Sequence, residues 1–232
     1  MIILIPPSEG KQQSNSNNIL FEDTNFIFEN QVKQIIKLLD TVDNKKLSGL
    51  YGTTQEKAEV FHQQNKEILK SSCSQSIERY TGVVYKHINW KTLSPNSKDY
   101  MQKHIRIFSG FFGMLTPLTM IPNYKLKMNV LSLQKQWRPI LTKALEDEEL
   151  IFDLLPQVHR KAYVANKNVV QIDFIIIKNG RKISAGHFGK AVKGKFIRFL
   201  TENRVSSVNQ IEKFNEDGFE WDGNHFIKVI EE

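Results

Sequence analysis

The sequence predicts an α/β fold of mixed α+β character, in which helices flank a mixed sheet within a single compact domain. Three observations lead to this prediction. An apolar run from Met1 to Ile5 ends at two prolines, which is typical of a short buried strand. Helical periodicity follows in the first hundred residues, and alternating segments separated by turns fill the C-terminal third. We find no internal repeat and no Gly- or Pro-rich linker, so residues 1–232 are expected to form one domain.

The N-terminal part is predicted to be mainly helical after this first strand. A loop from Pro6 to Lys11 follows the strand, and a polar tract from Gln12 to Asn18 is expected to be mobile. Apolar residues from Val32 to Leu39 recur at helical spacing and predict one helix. A second helix is predicted from Glu56 to Leu69.

The middle of the chain combines a strand, a glycine-rich turn and a helix. Ile105 to Phe108 alternates like a strand and runs into Ser109 to Gly113, whose two glycines permit a tight turn or a close approach of the backbone to a ligand. A helix is predicted from Ser132 to Leu145, with Ser132 as its N-cap and Pro139 as an internal irregularity.

The C-terminal third is predicted to contain strands, hairpins and one long basic helix. The elements in order are strands Leu150 to Leu154, Val169 to Lys178 and Lys182 to Gly186, a helix from Gly189 to Asn203, and strands Phe219 to Trp221 and Phe226 to Ile230. Asn179-Gly180 and Asp222-Gly223-Asn224 are expected to form the turns of two hairpins.

Positive charge is segregated along the chain, whose net charge is +7. Residues 100–145 contain seven Lys or Arg and no acidic residue, and residues 154–201 contain ten with one acid, Asp173. If the two stretches pack together, they form one positive surface. This arrangement favours an anionic ligand or partner over the alternative that the lysines only solvate helix faces.

Composition excludes several classes of protein. Apolar residues make up 40% and charged residues 25% of the chain, so disorder as the main state is excluded. The longest apolar stretches, such as Phe174 to Ile177, are far shorter than the roughly 20 residues of a membrane-spanning helix. The chain has one cysteine and no secretory signal, which predicts a cytoplasmic protein.

The sequence contains no pattern typical of a metal site or a redox centre. The six histidines are not paired at helical spacing, so neither a metal nor another cofactor is expected. Cys73 has no basic neighbour and no second cysteine as a partner, and we expect it to be exposed and inert.

Two loops are candidates for ligand binding, each with a structural alternative. The loop from Pro6 to Lys11 presents a hydroxyl, a carboxylate and an amine at the end of the first strand, or it is only a rigid turn. Residues 47–58 have the spacing of a helix-hairpin-helix, which points backbone N–H groups at a phosphate. Its hairpin is Gly52, Thr53 and Thr54, and a plain helical corner is the alternative, since Thr54 stands where a second glycine is usual.

The helix predicted from Gly189 is the most basic element. Lys190, Lys195 and Arg198 lie toward one side, and apolar residues lie toward the other. The helix can therefore pack against the protein while its lysines remain free for phosphates. Lys193 precedes Gly194 in the first turns, which would let a ligand approach the backbone closely.

Several of these motifs occur together in a family of known proteins. They are MIILIPPSEGK at residues 1–11, RYTGVVY at 79–85, IFSGFFGMLTPL at 107–118, IPNYKLKM at 121–128 and HFGKAVKG at 187–194, with Trp137, residues 202–204 and residues 214–215. With these motifs, essentially the whole chain resembles the YaaA family of bacterial peroxide-stress proteins.

The resemblance implies a fold peculiar to that family, with a positively charged cleft and a helix-hairpin-helix-like element. It also implies a cytoplasmic protein that limits oxidative damage, is linked to low intracellular free iron and binds DNA, with no reaction assigned. Thr116 departs from an arginine common in the family, and Lys127-Met128-Asn129 replaces an acidic residue and a glycine. The second change favours phosphate over a metal cation at that position.

Charge and resemblance together predict a peroxide-stress protein that binds DNA without sequence specificity through a basic cleft. We expect duplex, bent or damaged DNA as the partner, no membrane and a monomer. The expected phosphate contacts are Lys11, Arg106, Lys125, Lys127, Arg138, Lys190, Lys193, Lys195 and Arg198.

Two other classes of function remain open. The first is an enzyme acting on a nucleotide or nucleoside in the same cleft, and a polar cluster with perturbed pKa values would favour it over an open groove. The candidate catalytic residues are Ser8, Glu9, Lys11, Ser109, Tyr124 and His187, with Lys190 nearby. The second is a stress scaffold that contacts only proteins, which predicts an exposed apolar patch.

Overall fold

The N-terminal apolar run forms the central strand of a five-stranded sheet in the computed structural model, which describes residues 1–13, 18–183 and 185–230. All four residues of this strand are buried, as expected for a strand that has neighbours on both sides. The strands of the described residues are β1 (Ile2–Ile5), β2 (Ser74–Gln75), β3 (Ile105–Ser109), β4 (Gly113–Leu115), β5 (Met120–Ile121), β6 (Ile151–Asp153), β7 (Val169–Gln171), β8 (Phe174–Lys178), β9 (Arg181–Ile183), β10 (Glu220–Trp221) and β11 (Phe226–Ile230).

The strands form two mixed sheets and a short two-stranded ladder. The five-stranded sheet has the order β4-β3-β1-β6-β7, in which only β4 is antiparallel to its neighbour. The four-stranded sheet has the order β10-β11-β8-β9, with a parallel central pair, β11 and β8, and antiparallel outer strands. β2 and β5 pair antiparallel. The α/β fold with a mixed sheet is confirmed, and the strands are divided between separate sheets.

Helices occupy most of the N-terminal half, as predicted. The α-helices of the described residues are α1 (Glu29–Asp40), α2 (Leu47–Tyr51), α3 (Gln55–Lys66), α4 (Ser76–Arg79), α5 (Val83–Ile88), α6 (Pro95–His104), α7 (Leu133–Leu145), α8 (Gln157–Arg160) and α9 (Gly186–Glu202). One hydrophobic core joins these helices to both main sheets. A single compact domain is therefore confirmed.

The predicted strand from Val169 to Lys178 is wrong in one respect, because it is two strands in different sheets. β7 ends at Gln171 and β8 begins at Phe174. Between them, the carboxylate of Asp173 accepts two hydrogen bonds from Arg160, at 3.0 and 3.1 Å, and its backbone oxygen accepts one from the N–H of Phe226. These contacts hold the chain where it leaves the first sheet for the second.

Several predicted boundaries shift. The strand expected to end at Gly186 ends at Ile183, and α9 begins at Gly186 rather than Gly189. α3 ends at Lys66, and a separate 3₁₀ turn covers Ile68–Lys70. The tract expected to be mobile includes positions 14–17, which lie outside the described residues.

The N-terminus of α7 is where the sequence places it, and its capping differs from the prediction. Ser132 is the N-cap residue, but it adopts a left-handed conformation with φ of 58° and its side chain makes no capping hydrogen bond. Pro139 is accommodated inside the helix. Both hairpin predictions are confirmed, with Asn179 and Gly180 at φ of 48° and 73° in the turn between β8 and β9.

Candidate functional site

A cleft of about 790 Å³ opens at the carboxyl ends of the parallel strands β1, β3 and β6. β1 lies between the other two, so the chain segments that follow β3 and β6 leave on opposite sides of it. This is the topological position at which open parallel sheets bind ligands. The loop after β1, the start of α5, residues 124–129, the loop after β6 and the first half of α9 form the walls.

The cleft brings together most of the side chains singled out in the sequence. Its lining includes five of the nine expected phosphate contacts and five of the six candidate catalytic residues; together these are Ser8, Glu9, Lys11, Tyr124, Lys125, Lys127, His187, Lys190 and Lys193. The sixth candidate, Ser109, lies behind Tyr124 and contacts its hydroxyl at 2.7 Å. Asp173, like Glu9, contributes an acidic side chain to the walls.

Glu9 lies opposite two lysines on one wall. Its carboxylate is 3.2 Å from the amine of Lys127 and 3.9 Å from that of Lys125. The hydrogen bond from Lys127 and the nearby positive charges lower the pKa of Glu9, so the carboxylate stays ionised. A phosphate that binds these lysines must therefore compete with Glu9.

Buried groups fix the backbone that carries Lys125 and Lys127. The side chain of Asn65 donates to the carbonyl oxygen of Lys125 at 2.8 Å and accepts from its N–H at 3.3 Å. A Cβ atom at Gly110 would lie 2.7–2.8 Å from backbone atoms of residues 126–128. The glycine is therefore needed for close packing of two backbone segments, whereas the sequence suggested a turn or an approach to a ligand.

Lys11 lies over the aromatic floor of the cleft. Its Nζ is 4.3 Å from the ring centre of Tyr124 and 5.6 Å from that of Tyr80. The Tyr124 hydroxyl contacts the hydroxyls of Tyr80 and Ser109, each at 2.7 Å. Burial lowers the pKa of Lys11 to about 8, and the positive charge of Lys125 adds to this effect.

The opposite wall contains a second lysine with an altered pKa. The amine of Lys193 donates a hydrogen bond to the carbonyl oxygen of Leu154, and burial lowers its pKa to about 8. His159, buried beside it, has a pKa lowered to about 4 by burial and by Lys193. We expected Lys193 to be free on the surface of its helix, and this is corrected because its amine is bonded to the protein.

Four expected phosphate contacts lie outside the lining of the cleft. Lys195 is ion-paired with Asp217 at 2.8 Å, and Arg198 donates to the carbonyl oxygen of Ile88 and pairs with Glu202 at 2.7 Å. The expectation that these two side chains remain free is therefore wrong. Arg106 donates to backbone oxygens of residues 103 and 105, and Arg138 is exposed on α7.

The corner between α2 and α3 stands beside the cleft. Gly52 ends α2 in a left-handed conformation, with φ of 62°, and a Cβ atom there would lie 3.9 Å from the amine of Lys127. Thr53 follows, and Thr54 is the N-cap residue of α3 without a side-chain capping bond. The corner has two helices joined by a short turn, and its contact with phosphate stays a prediction.

Comparison with known proteins gives the affiliation of the chain. A family model described as "Peroxide stress protein YaaA" matches residues 1–225. The chain belongs to this family. The resemblance found in its motifs is thereby confirmed. The cleft described above is therefore the cleft of a YaaA-family protein.

Relatives of this YaaA-family chain include UPF0246 proteins from three different bacteria. It is 27% identical to a UPF0246 protein of Pseudoalteromonas translucida over 218 residues, covering 87% of this chain and 80% of that protein. It is 26% identical to a UPF0246 protein of Desulfitobacterium hafniense over 247 residues, covering 99% and 98%. A UPF0246 protein of Francisella tularensis is 27% identical over 241 residues, covering 95% and 94%. The similarity covers at least 80% of both chains in each case.

Sequence reasoning missed a buried charged cluster beneath the Lys193 wall of the YaaA-family cleft. Asp153, fully buried at the end of β6, accepts hydrogen bonds from Tyr163 at 2.6 Å and Arg160 at 3.2 Å. Arg160 also binds Asp173, which lines the cleft. The available signal was an aspartate at the carboxyl end of a buried strand, the position at which such sheets place functional groups.

The only cysteine is buried, which corrects the expectation that it is exposed. Cys73 has no exposed surface, and burial raises the pKa of its thiol to about 12. At neutral pH almost none of it is thiolate, the form that reacts with peroxide.

Within residues 1–13, 18–183 and 185–230, no group of three His, Cys, Asp or Glu is placed to hold a metal ion, and no helix is both long and apolar enough to cross a membrane.

We predict that the Cys73 thiol of the native protein reacts with a disulfide reagent on the order of 10³-fold more slowly than in guanidinium, because of its smaller thiolate fraction. The rate of thiol modification measures this. Cys73→Ser should fold and should keep full protection of cells against peroxide. Fast modification of the native thiol, or lost protection by the folded variant, would show that Cys73 has a redox role.

Proposed function

We propose that this YaaA-family protein binds DNA without sequence specificity, through phosphate contacts made by the lysines of the cleft. The observation that carries the proposal is the presence of five lysines, against two acidic residues, on one cleft; these lysines are Lys11, Lys125, Lys127, Lys190 and Lys193. Phosphate contacts release counterions from DNA and supply affinity without reading the bases.

The dimensions of the cleft suit one nucleotide unit of a strand. A volume of about 790 Å³ falls in the range of small-ligand sites rather than that of a long open groove. Apolar side chains of Val83, Leu126 and Phe174 are part of its walls, and such surfaces accept a base of any identity. One nucleotide would enter the cleft, while neighbouring phosphates contact the more exposed Lys127 and Lys190.

A second candidate function is an enzyme that acts on a nucleotide or nucleoside. The specific observation in its favour is that Lys11 and Lys193 both have a pKa lowered to about 8 and both face the same cleft. Amines with such pKa values are typical of catalytic sites. Ser8 and His187, which also line the cleft, would be its further polar groups.

The proposal is tested by binding of labelled duplex, single-stranded and mismatched DNA over a series of salt concentrations. We expect micromolar or tighter binding at low salt, a steep loss of affinity as salt rises, and a preference for strands with unpaired nucleotides. Competition by a free nucleoside monophosphate would show that a single unit occupies the cleft. Absence of DNA binding combined with tight mononucleotide binding would favour the enzyme instead.

We predict that Glu9→Gln raises DNA affinity about two- to fivefold, because it removes the carboxylate that competes with phosphate for Lys125 and Lys127; an exposed ion pair is worth up to ~1 kcal/mol. The measurement is the dissociation constant at one low salt concentration. Glu146→Gln, on the surface next to α7, is the matched control and should leave the constant unchanged. Equal effects of the two changes would contradict binding at the Glu9 wall.

A further inference from the structure

The amine of Lys11 is held in a fixed place on the floor of the cleft. It donates a hydrogen bond to the carbonyl oxygen of Ser8 at 3.0 Å and lies over the rings of Tyr124 and Tyr80. The backbone of Lys11 is itself paired with that of Tyr80 in an antiparallel bridge. Both the amine and its attachment point are therefore positioned before any ligand binds.

The amine of Lys11 lies next to aromatic rings, whereas the amines of most lysines contact water or a carboxylate. The acid nearest to it in the chain, Glu9, is within ion-pair distance of Lys127 and Lys125. Among the residues that the structure describes, no carboxylate lies within 4.0 Å of the Lys11 amine. Burial and the positive charges of Lys125 and Arg79 act against protonation, and Glu9 only partly offsets them. With a pKa of about 8, about a tenth of the amine is neutral at pH 7.

A neutral amine that is fixed inside a binding cleft is a nucleophile for carbonyl compounds. We propose that Lys11 forms an imine with an aldehyde carried by a phosphorylated sugar. The inference rests on the phosphate-binding cleft of the proposed function and adds a covalent step to it. Two sources share this ligand chemistry: a base-free deoxyribose within a DNA strand and a free sugar phosphate.

The step requires no oxidant and no cofactor. The nitrogen lone pair of Lys11 bonds to the aldehyde carbon, and the carbonyl oxygen takes up one of the two amine protons to give a carbinolamine. The second amine proton then joins the hydroxyl group, which leaves as water, and a C=N double bond remains. The lysine and the aldehyde are thus converted into an imine and one water molecule.

The surroundings of Lys11 favour it over the other lysine with a lowered pKa. Each amine donates one hydrogen bond to a backbone carbonyl oxygen, Lys11 to that of Ser8 and Lys193 to that of Leu154. The carboxylates of Asp173 and Asp153 both favour the charged form of Lys193, whereas among the described residues only the carboxylate of Glu9 does so for Lys11. Tyr124 is a positioning residue for Lys11, because its ring supports the amine while its own hydroxyl is held by Tyr80 and Ser109.

Trapping with sodium cyanoborohydride, which reduces an imine to a stable secondary amine, tests the inference. The two probes are a duplex oligonucleotide with one base-free site and ribose 5-phosphate. We expect wild-type protein to be linked covalently to both, with the added mass on the peptide that contains Lys11. Lys11→Arg keeps the positive charge but lacks a nucleophilic amine, and it should lower the yield at saturating probe on the order of tenfold or more.

Lys135→Arg, on an exposed position of α7 outside the cleft, is the matched control and should give the wild-type yield. An undiminished yield with Lys11→Arg, an adduct that maps to another lysine of wild-type protein, or no adduct with either probe would overturn the inference. DNA binding without any adduct would remove the covalent step and leave the proposed function intact. An adduct of ribose 5-phosphate on Lys11 without DNA binding would keep the step and contradict the proposed function.

Discussion

Replacing Trp137 by alanine is expected to lower the free energy of unfolding by about 3–5 kcal/mol, the usual cost of removing a buried aromatic side chain. The indole is 1% exposed and packs against Phe28 at 5.7 Å between ring centres. A Cβ atom at Gly113 would lie 2.5 Å from this ring, so the glycine and the indole are in close contact. The change leaves a cavity that the tight surroundings cannot fill.

The indole also connects the core to the cleft. Its Nε1 donates a hydrogen bond at 2.9 Å to the carbonyl oxygen of Gly110, which lines the cleft. Urea unfolding of Trp137→Ala measures the loss, with Trp90→Ala as control. Trp90 is only partly buried, so its replacement should cost less than about 2 kcal/mol. Equal losses for the two variants would show that Trp137 does not anchor the core.

The second large effect is expected at Gly194, where α5 and α9 cross. A Cβ atom at this position would collide with the carbonyl oxygen of Val84 and lie 2.6 Å from the Cβ atom of His87. Gly194→Ala must therefore push the helices apart, at a cost of about 1–3 kcal/mol. Because α5 and α9 both contribute to the walls of the cleft, we expect DNA affinity to fall as well.

Gly49→Ala is the matched control for this prediction. Gly49 lies inside the short helix α2, and a Cβ atom there would meet nothing within 4 Å. An alanine in an exposed helix position stabilises a protein by about 0.5–1 kcal/mol relative to glycine. Thermal or urea unfolding of both variants should therefore give changes of opposite sign. Stabilisation by Gly194→Ala would contradict the tight crossing of α5 and α9.

Much of the cleft could be predicted from local sequence. The apolar run before Pro6 and Pro7 identified β1, and the end of a buried strand identified Ser8, Glu9 and Lys11 as candidates. The strand is confirmed and the three side chains line the cleft, because both placements depend on rules that act over a few residues; their functional roles stay predictions. The five-stranded order around β1, which makes this edge a cleft, depends on pairings between residues about 100 and 150 positions apart in the chain.

The errors have a common physical origin, since helical spacing predicts which side of a helix a residue occupies but not what packs against it. Lys195 and Arg198 were expected to be free, whereas Lys195 pairs with Asp217 and Arg198 donates to the carbonyl oxygen of Ile88. Both partners lie outside the helix, so the local sequence pattern does not predict them. Cys73 was expected to be exposed because it has no basic neighbour and no partner cysteine, but neither observation reports burial, and the side chain is fully buried.

The salt dependence of DNA binding by two double variants tests the central claim most directly. Lys127→Ala/Lys190→Ala removes two amines of the cleft, and Lys135→Ala/Lys143→Ala removes two exposed charges of α7 that lie outside it. The account predicts that the slope of log K against log salt flattens by about 2 for the first variant and stays at the wild-type value for the second. Equal flattening by both variants, or a wild-type slope for the cleft variant, would contradict DNA binding in the cleft.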